Sequence, residues 1–486
     1  MPDPDSAAEL LLRNVRIVGG ADSPVDIGIR AGKVATIGRT ATSAVNAVDL
    51  EGRWVAPGLW DHHVHFAQWA LVRRRVDLSS AGSAEGVAQI IAARLRAEAD
   101  SDAPLVGFGY RDARWPDVDA ETLDSVSPHR PVALVSGDMH GVWVNTAASV
   151  LLGCTPGLLR EEPAFAVQRQ LELIVPRYDE TALSDAAAEA AARGVVGIVD
   201  LDMAPNIALW RQRVAGGMRA LRVRAGFYPE LLDEVIDMGL RSGATVDDTD
   251  GLVTVGPLKL ITDGSLNSRT AFCHDVYAGS DGRGVLTISP DKVTAYLERC
   301  AGAGLHAAVH AIGDAANTHA LDAFAATGAR GSIEHAQLVA KDDLTRFAAL
   351  GVTASVQPEH VWDDRDVADE LWHGRTARAF PFADLVAAGA TVTLGSDAPV
   401  SPLDPWRAIA AATTRTSDER EPWHQEQALT TAQALNAASG GAAIAVGASA
   451  DIVVVDRDPL VADRDELLDV PVSATLLAGE FTHRAL

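Results

Sequence analysis

From Gly58 to Ser396 the chain repeats one pattern: an apolar run of four to eight residues, then an amphipathic, alanine-rich stretch with apolar positions at i, i+3 and i+4. Strands alternating with helices in this way commit a chain to a parallel sheet, because each parallel neighbour is reached by a crossover. The runs place strands at 58–65, 195–201, 220–227, 256–262, 305–310, 331–335, 352–357 and 391–396. Eight such units predict an α/β fold, a (β/α)8 barrel over 58–439. The stretch 66–193 is too long for a single crossover, and it holds a helical pattern at 85–99 and strand patterns at 105–110 and 131–136. It reads as an insertion over the barrel mouth, where such segments shape substrate pockets.

The two ends of the chain carry a different pattern. Short alternating runs at 10–18, 25–38 and 46–56 are broken by turn residues at hairpin spacing, and 450–456 and 472–482 are again strand-like. Neither end holds enough strands for a stable sheet alone, so 1–57 and 440–486 are expected to build one small composite β-sandwich domain.

Over the 486 residues, 41 basic side chains face 66 acidic ones, a net charge of −25. An acidic surface of this kind repels phosphate backbones and anionic headgroups, so neither nucleic acid nor membrane is expected as a partner. Cys154, Cys273 and Cys300 lie far apart with no C-x-x-C pair, as expected of a chain in a reducing cytoplasm. The opening MPDPDSAAELLL is acidic, and no apolar run reaches the ~18 residues of a membrane helix, so a soluble cytoplasmic protein is expected. A small-molecule substrate and a homodimer complete these expectations.

The chemistry lies where ionisable residues end the apolar runs, since the C-terminal ends of barrel strands converge on one mouth. The first strand ends Asp61-His62-His63-Val64-His65. Alternation turns His63 and His65 the same way and His62 outward, a spacing that suits two ligands on one metal. Later strands contribute His310, His335 and Asp397. Imidazole nitrogens with a carboxylate favour zinc or a similar divalent ion. Lys259 sits within an apolar run of the fourth strand, where burial beside a cation favours its neutral or carbamylated form. A carbamate there would offer two oxygens, one for each of two metals. No P-loop and no G-x-S-x-G elbow is present.

Together, APGLWDHHVHF, the fourth-strand lysine, VHAIGD, IEHAQ, GSDAPV and the closing GASADIVVVDRDPL resemble the amidohydrolase superfamily over nearly the whole chain. More narrowly, KLITDGSLNSRTA, DMHGVWVNTAA and SVQPEHVWDD resemble amidohydrolase family 3, the branch that includes N-substituted formamide deformylase. The resemblance implies that His63, His65 and Asp397 hold one metal, that His310 and His335 hold a second, and that carbamylated Lys259 bridges them. One-metal members exist, so one or two divalent ions, zinc foremost, are expected. It also implies that His140, Asp263, Arg269 and His360 lie near the substrate.

The expected activity is hydrolysis of a non-peptide C–N amide bond of a small molecule by a metal-activated hydroxide. Asp397 would act as general base and then general acid, with His360 or His140 donating to the oxyanion. A deaminase or a C–O (ester or lactone) hydrolase could use the same site, and an inactive scaffold is the alternative outside enzymology. Retention of Asp397 argues against the scaffold, which has no use for a buried proton-transfer group.

Overall fold

The computed structural model describes residues 8–38, 44–73, 75–98, 101–112, 115, 118–174 and 180–486. Its centre is a parallel sheet of eight strands: β1 (Leu59–Val64), β2 (Val195–Asp200), β3 (Arg222–Phe227), β4 (Val253–Ile261), β5 (His306–Ala311), β6 (Arg330–His335), β7 (Thr353–Val356) and β8 (Val392–Leu394). They neighbour one another in chain order. The seam between β8 and β1 closes through Asp397 N–H donating to His63 O and His65 N–H donating to Ala398 O, both at 2.8 Å. A Cβ on Gly395 would lie 2.7 Å from His63 Cβ, so only glycine lets the chain pass this close to the first strand. All eight strands fall where the apolar runs place them, and the fold is a (β/α)8 barrel.

Alanine enrichment has a packing cause. The helix Glu180–Ala192 turns Ala182, Leu183, Ala186, Ala187, Ala190 and Ala191 inward, and side chains this small let helices approach the strands closely. The insertion forms its own sheet, in the order Gly157–Arg160, Gly141–Val144, Val132–Ser136, Leu105–Tyr110, Val76–Asp77, with the helix Ala84–Ala97 capped by Ser83. The shorter strands of this sheet are too brief to show a period in sequence.

At the chain ends, the strand Ala8–Ile17 pairs antiparallel with Val25–Arg30 but parallel with Ala44–Asp49 and Trp54–Pro57. The hairpin expected of the third run is therefore corrected: long-range pairing, which local turn signals cannot report, sets its direction. Trp54–Pro57 pairs antiparallel with Ile452–Val455, followed by Val472–Leu477 and Glu480–Arg484. Leu12, Val15, Ile27 and Ile29 share one core with Ile452, Val454, Ala474 and Leu476. Among the described residues no helix is long and apolar enough to cross a membrane. The three cysteines are free, and Cys273 and Cys300 are buried.

Candidate metal centre

Seven of the side chains named from sequence meet at the C-terminal end of the barrel. Asp397 Oδ1 lies 3.3 Å from His63 Nε2 and 3.4 Å from His65 Nε2, and Asp397 Oδ2 lies 3.8 Å from His360 Nε2. The His335 ring centroid is 5.1 Å from that of His63, 4.4 Å from that of His310 and 5.8 Å from that of His360. Lys259, 2% exposed, brings Nζ to 3.2 Å from His63 Nε2. His335 and Asp397 both hold left-handed backbone conformations, φ +73° and +57°. Conformations this sparsely populated persist where the surrounding structure fixes the side chains they aim.

This donor set fits a metal. Ligand atoms of His63, His65 and Asp397 all lie within 4.8 Å of one another, as do those of His335, His360 and Asp397. Four buried ring nitrogens, His65 Nδ1, His310 Nε2, His335 Nδ1 and His360 Nε2, have no hydrogen-bond partner, a costly state unless something else engages the cluster. Burial, with neighbouring positive charge, pushes His310 and His335 well below the ordinary histidine value, which keeps them neutral and able to ligate. Burial also lowers the Lys259 ammonium. For Asp397, burial acts to raise the carboxyl, but His63, His65 and His335 outweigh it and hold it well below the usual range. His360 stands in a ligand triad, closer to the cluster than a substrate-contacting role requires, while His310 falls in neither triad.

Behind the cluster is a residue that the motif reading passes over. Glu334 Oε2 accepts from His63 Nδ1 at 2.6 Å and both groups are buried, which fixes the ring so that Nε2 faces the cluster. A carboxylate inside the apolar run ahead of His335 is itself a signal, because a buried acid needs a partner.

A cavity of about 100 Å³ opens over the cluster. Met139, Phe165, Met203, Leu266 and Val400 supply apolar wall, and Arg111, paired with Asp363 at 2.7 Å, stands among its polar lining. His140 lines it too, with Nδ1 2.9 Å from Glu161 Oε2. Glu161 Oε1 accepts from Ser268 and Thr270 at 2.9 and 2.5 Å, and Asp138 accepts from Ser265 at 2.9 Å. The insertion is thus clamped onto the loop after β4, and two motifs that stand apart in sequence become one wall.

Two of the residues expected near the substrate stand off that wall. Asp263 does not line the cavity: wholly buried, it accepts from the amides of Phe272, Ile312 and Gly313 and lies 3.5 Å from His310 Nε2, which makes it a tether for two loops. Arg269 is exposed on a left-handed turn at φ +58° and does not reach the cavity, because that turn aims Ser268 and Thr270 inward. His62 also departs from the outward orientation. Strand β1 carries an extra residue between Asp61 and Val64, the positions paired with Ile198 and Asp200, and within this bulge His62 is buried and borders a cavity at the other end of the barrel.

The sequence profile of the amidohydrolase family matches residues 46–483. The chain is 27% identical over 468 residues to the protein LONG AFTER FAR-RED 3 of Arabidopsis thaliana, covering 85% of this chain and 79% of that one. It is 24% identical over 537 residues to N-substituted formamide deformylase of Arthrobacter pascens, covering 96% of each. Among solved structures, an uncharacterized metal-dependent hydrolase from Pyrococcus horikoshii OT3 superimposes with a TM-score of 0.77 at 26% identity, over 94% of this chain and 99% of that one.

Proposed function

The chain belongs to the amidohydrolase family, and on that premise we propose that it is a metal-dependent hydrolase that cleaves a non-peptide C–N amide bond of a small molecule. The observation that carries this reading is the meeting of His63, His65, His310, His335 and Asp397 around buried Lys259, beneath a small and largely apolar cavity. His63, His65 and Asp397 would hold one divalent ion, with His335 and His310, or His360, offered to a second and carbamylated Lys259 between them. Zinc is the ion we propose, since nitrogen donors with a carboxylate suit it. When bound, such an ion supplies Lewis-acid polarisation of a carbonyl and activates water at neutral pH.

The chain's own groups then have separate tasks. Asp397, held ionised, accepts the proton released by attacking water and returns it to the leaving nitrogen, so one carboxylate serves both halves of the reaction. His140 faces the cavity as an imidazolium: burial would lower it, but the Glu161 and Asp138 carboxylates raise it to about 9. It donates to the developing oxyanion, a contact that contributes about 2.7–4 kcal/mol. His360 keeps Nε2 toward Asp397 because its Nδ1 is engaged by Gln337 at 3.1 Å. Phe165, Met139 and Leu266 receive the apolar part of the substrate and exclude water from the reacting bond.

The test is a panel of N-substituted formamides, cyclic amides, esters, lactones and aminated heterocycles, assayed on zinc-loaded protein beside a chelated control. Metal-dependent turnover of amides is expected. Turnover confined to esters or to aminated rings would move the reading to C–O hydrolysis or deamination, and a protein that binds no metal would overturn it.

A further inference from the structure

The barrel has a second cavity, about 710 Å³, at the end opposite the histidine cluster, and the charge around it is unbalanced. Arg224 near the start of β3, His306 at the first position of β5 and Arg330 at the first position of β6 all border it. His306 and Arg330 are register partners. Burial, with the guanidinium groups of Arg330 and Arg224, pushes the His306 imidazole below its ordinary value. Among the described residues no carboxylate forms an ion pair with Arg224 or Arg330, whereas Arg222, two positions away, is paired with Asp451 at 2.7 Å. Arg224 is instead held 4.5 Å from the ring centroid of Trp60, fixed in place without a counter-charge. Glu334, the one carboxylate on the cavity wall, is occupied by His63 and Ser332.

The wall also presents unused polar groups. Ser355, 2% exposed, has no hydrogen-bond partner for Oγ, and His62, 7% exposed, has none for Nε2. In a chain of net charge −25, two arginines and a histidine exposed on one cavity wall, whose single carboxylate is already bonded to His63 and Ser332, make a local basic patch that attracts an anion. Guanidinium forks match the tetrahedral oxygens of phosphate, and hydroxyls such as those of Ser355 and Thr353 can complete the shell. We infer that this basin binds a phosphate-type oxyanion, either the free ion or the phosphate of a small phosphomonoester, at a site separate from the metal centre.

The experiment is calorimetric titration of the metal-loaded protein with inorganic phosphate, and separately with glycerol 3-phosphate, at ionic strength held constant with chloride. One equivalent of phosphate is expected to bind. The doubly substituted Arg224→Gln/Arg330→Gln protein should bind it roughly tenfold or more weakly, with metal content unchanged. Tighter binding of the monoester would identify a phosphorylated metabolite as the source, and equal or weaker binding would identify the free ion. Undiminished binding to the double variant would place phosphate elsewhere, the metal centre included, and would overturn the inference, as would no binding to the unsubstituted protein. Should the double variant fail to fold, phenylglyoxal labelling of the unsubstituted protein decides: phosphate should slow modification of Arg224 and Arg330 and leave exposed Arg484 unaffected. Equal rates with and without phosphate would overturn the inference.

Discussion

Glu334 and His63 form a buried pair, carboxylate to Nδ1 at 2.6 Å, at the point where the cluster meets the barrel interior. The bond selects the tautomer that leaves His63 Nε2 free to face Asp397 and Lys259, and a carboxylate behind a ligating imidazole also raises its basicity. Glu334→Gln keeps the volume and removes the charge. Metal affinity is expected to fall about 10–100-fold, read by competition against a chromophoric chelator. Unchanged affinity would mean that the backbone alone orients His63.

Lys259 is buried beside His63 with its ammonium form disfavoured, and the neutral amine is the form that combines with carbon dioxide. Lys259→Ala should lose metal and turnover, and short carboxylic acids should partly restore both by standing in for the carbamate. A variant with full metal content and full rate would leave Lys259 a packing role.

The His140 and Glu161 pair makes stability depend on pH. Burial alone would lower the imidazole, but Glu161 and Asp138 raise it from 6.5 to about 9. A raised histidine contributes stability that is complete below its unfolded value and is lost as pH climbs through the folded one. The Tm advantage of the unsubstituted protein over His140→Gln should therefore be largest below about pH 6.5 and shrink toward about pH 9. An advantage constant across that window would show that His140 is neutral in the fold.

The two chain ends share one core, with Leu12, Val15 and Ile27 packed together with Ile452, Val454 and Leu476. We propose that 1–57 and 440–486 act as one domain. Deletion of 450–486 removes the apolar partner of the N-terminal strands and should yield insoluble protein, measured as the soluble fraction after expression. A soluble truncation that unfolds cooperatively would show that the N-terminal strands stand alone.

The barrel was legible because each of its strands is an apolar run long enough to show, and because His63, His310, His335 and Asp397 end those runs where helical or surface readings have no use for them. Four things were not. The direction of Ala44–Asp49 and Trp54–Pro57 depends on the partner they meet, and turn spacing alone cannot give it. The orientation of His62 follows from one extra residue in β1, which shifts the alternation that a strand pattern assumes. Arg269 lies in a motif whose chemistry is carried by its neighbours Ser268 and Thr270, and only the left-handed turn shows which side chains face inward. Glu161 is 21 residues from His140 and joins it only through the fold of the insertion.

Asp397 is the group on which the proposed chemistry turns, because it touches His63 and His65 through one oxygen and faces His360 through the other. Its left-handed backbone, φ +57°, and the hydrogen bond that its N–H donates to His63 O hold it at the barrel seam, so a substitution of equal size should not move it. Asp397→Asn retains a carbonyl oxygen for ligation and removes the basic one. Metal content should largely persist while kcat falls by roughly 10²–10⁴-fold, the usual share of general acid–base catalysis. Both quantities are measured on the same sample, with the amide found to react. A rate within a few-fold of the unsubstituted protein would transfer the proton-carrying role to His360, whose Nε2 is 3.8 Å away and unpartnered, and His360→Gln would then show the loss instead.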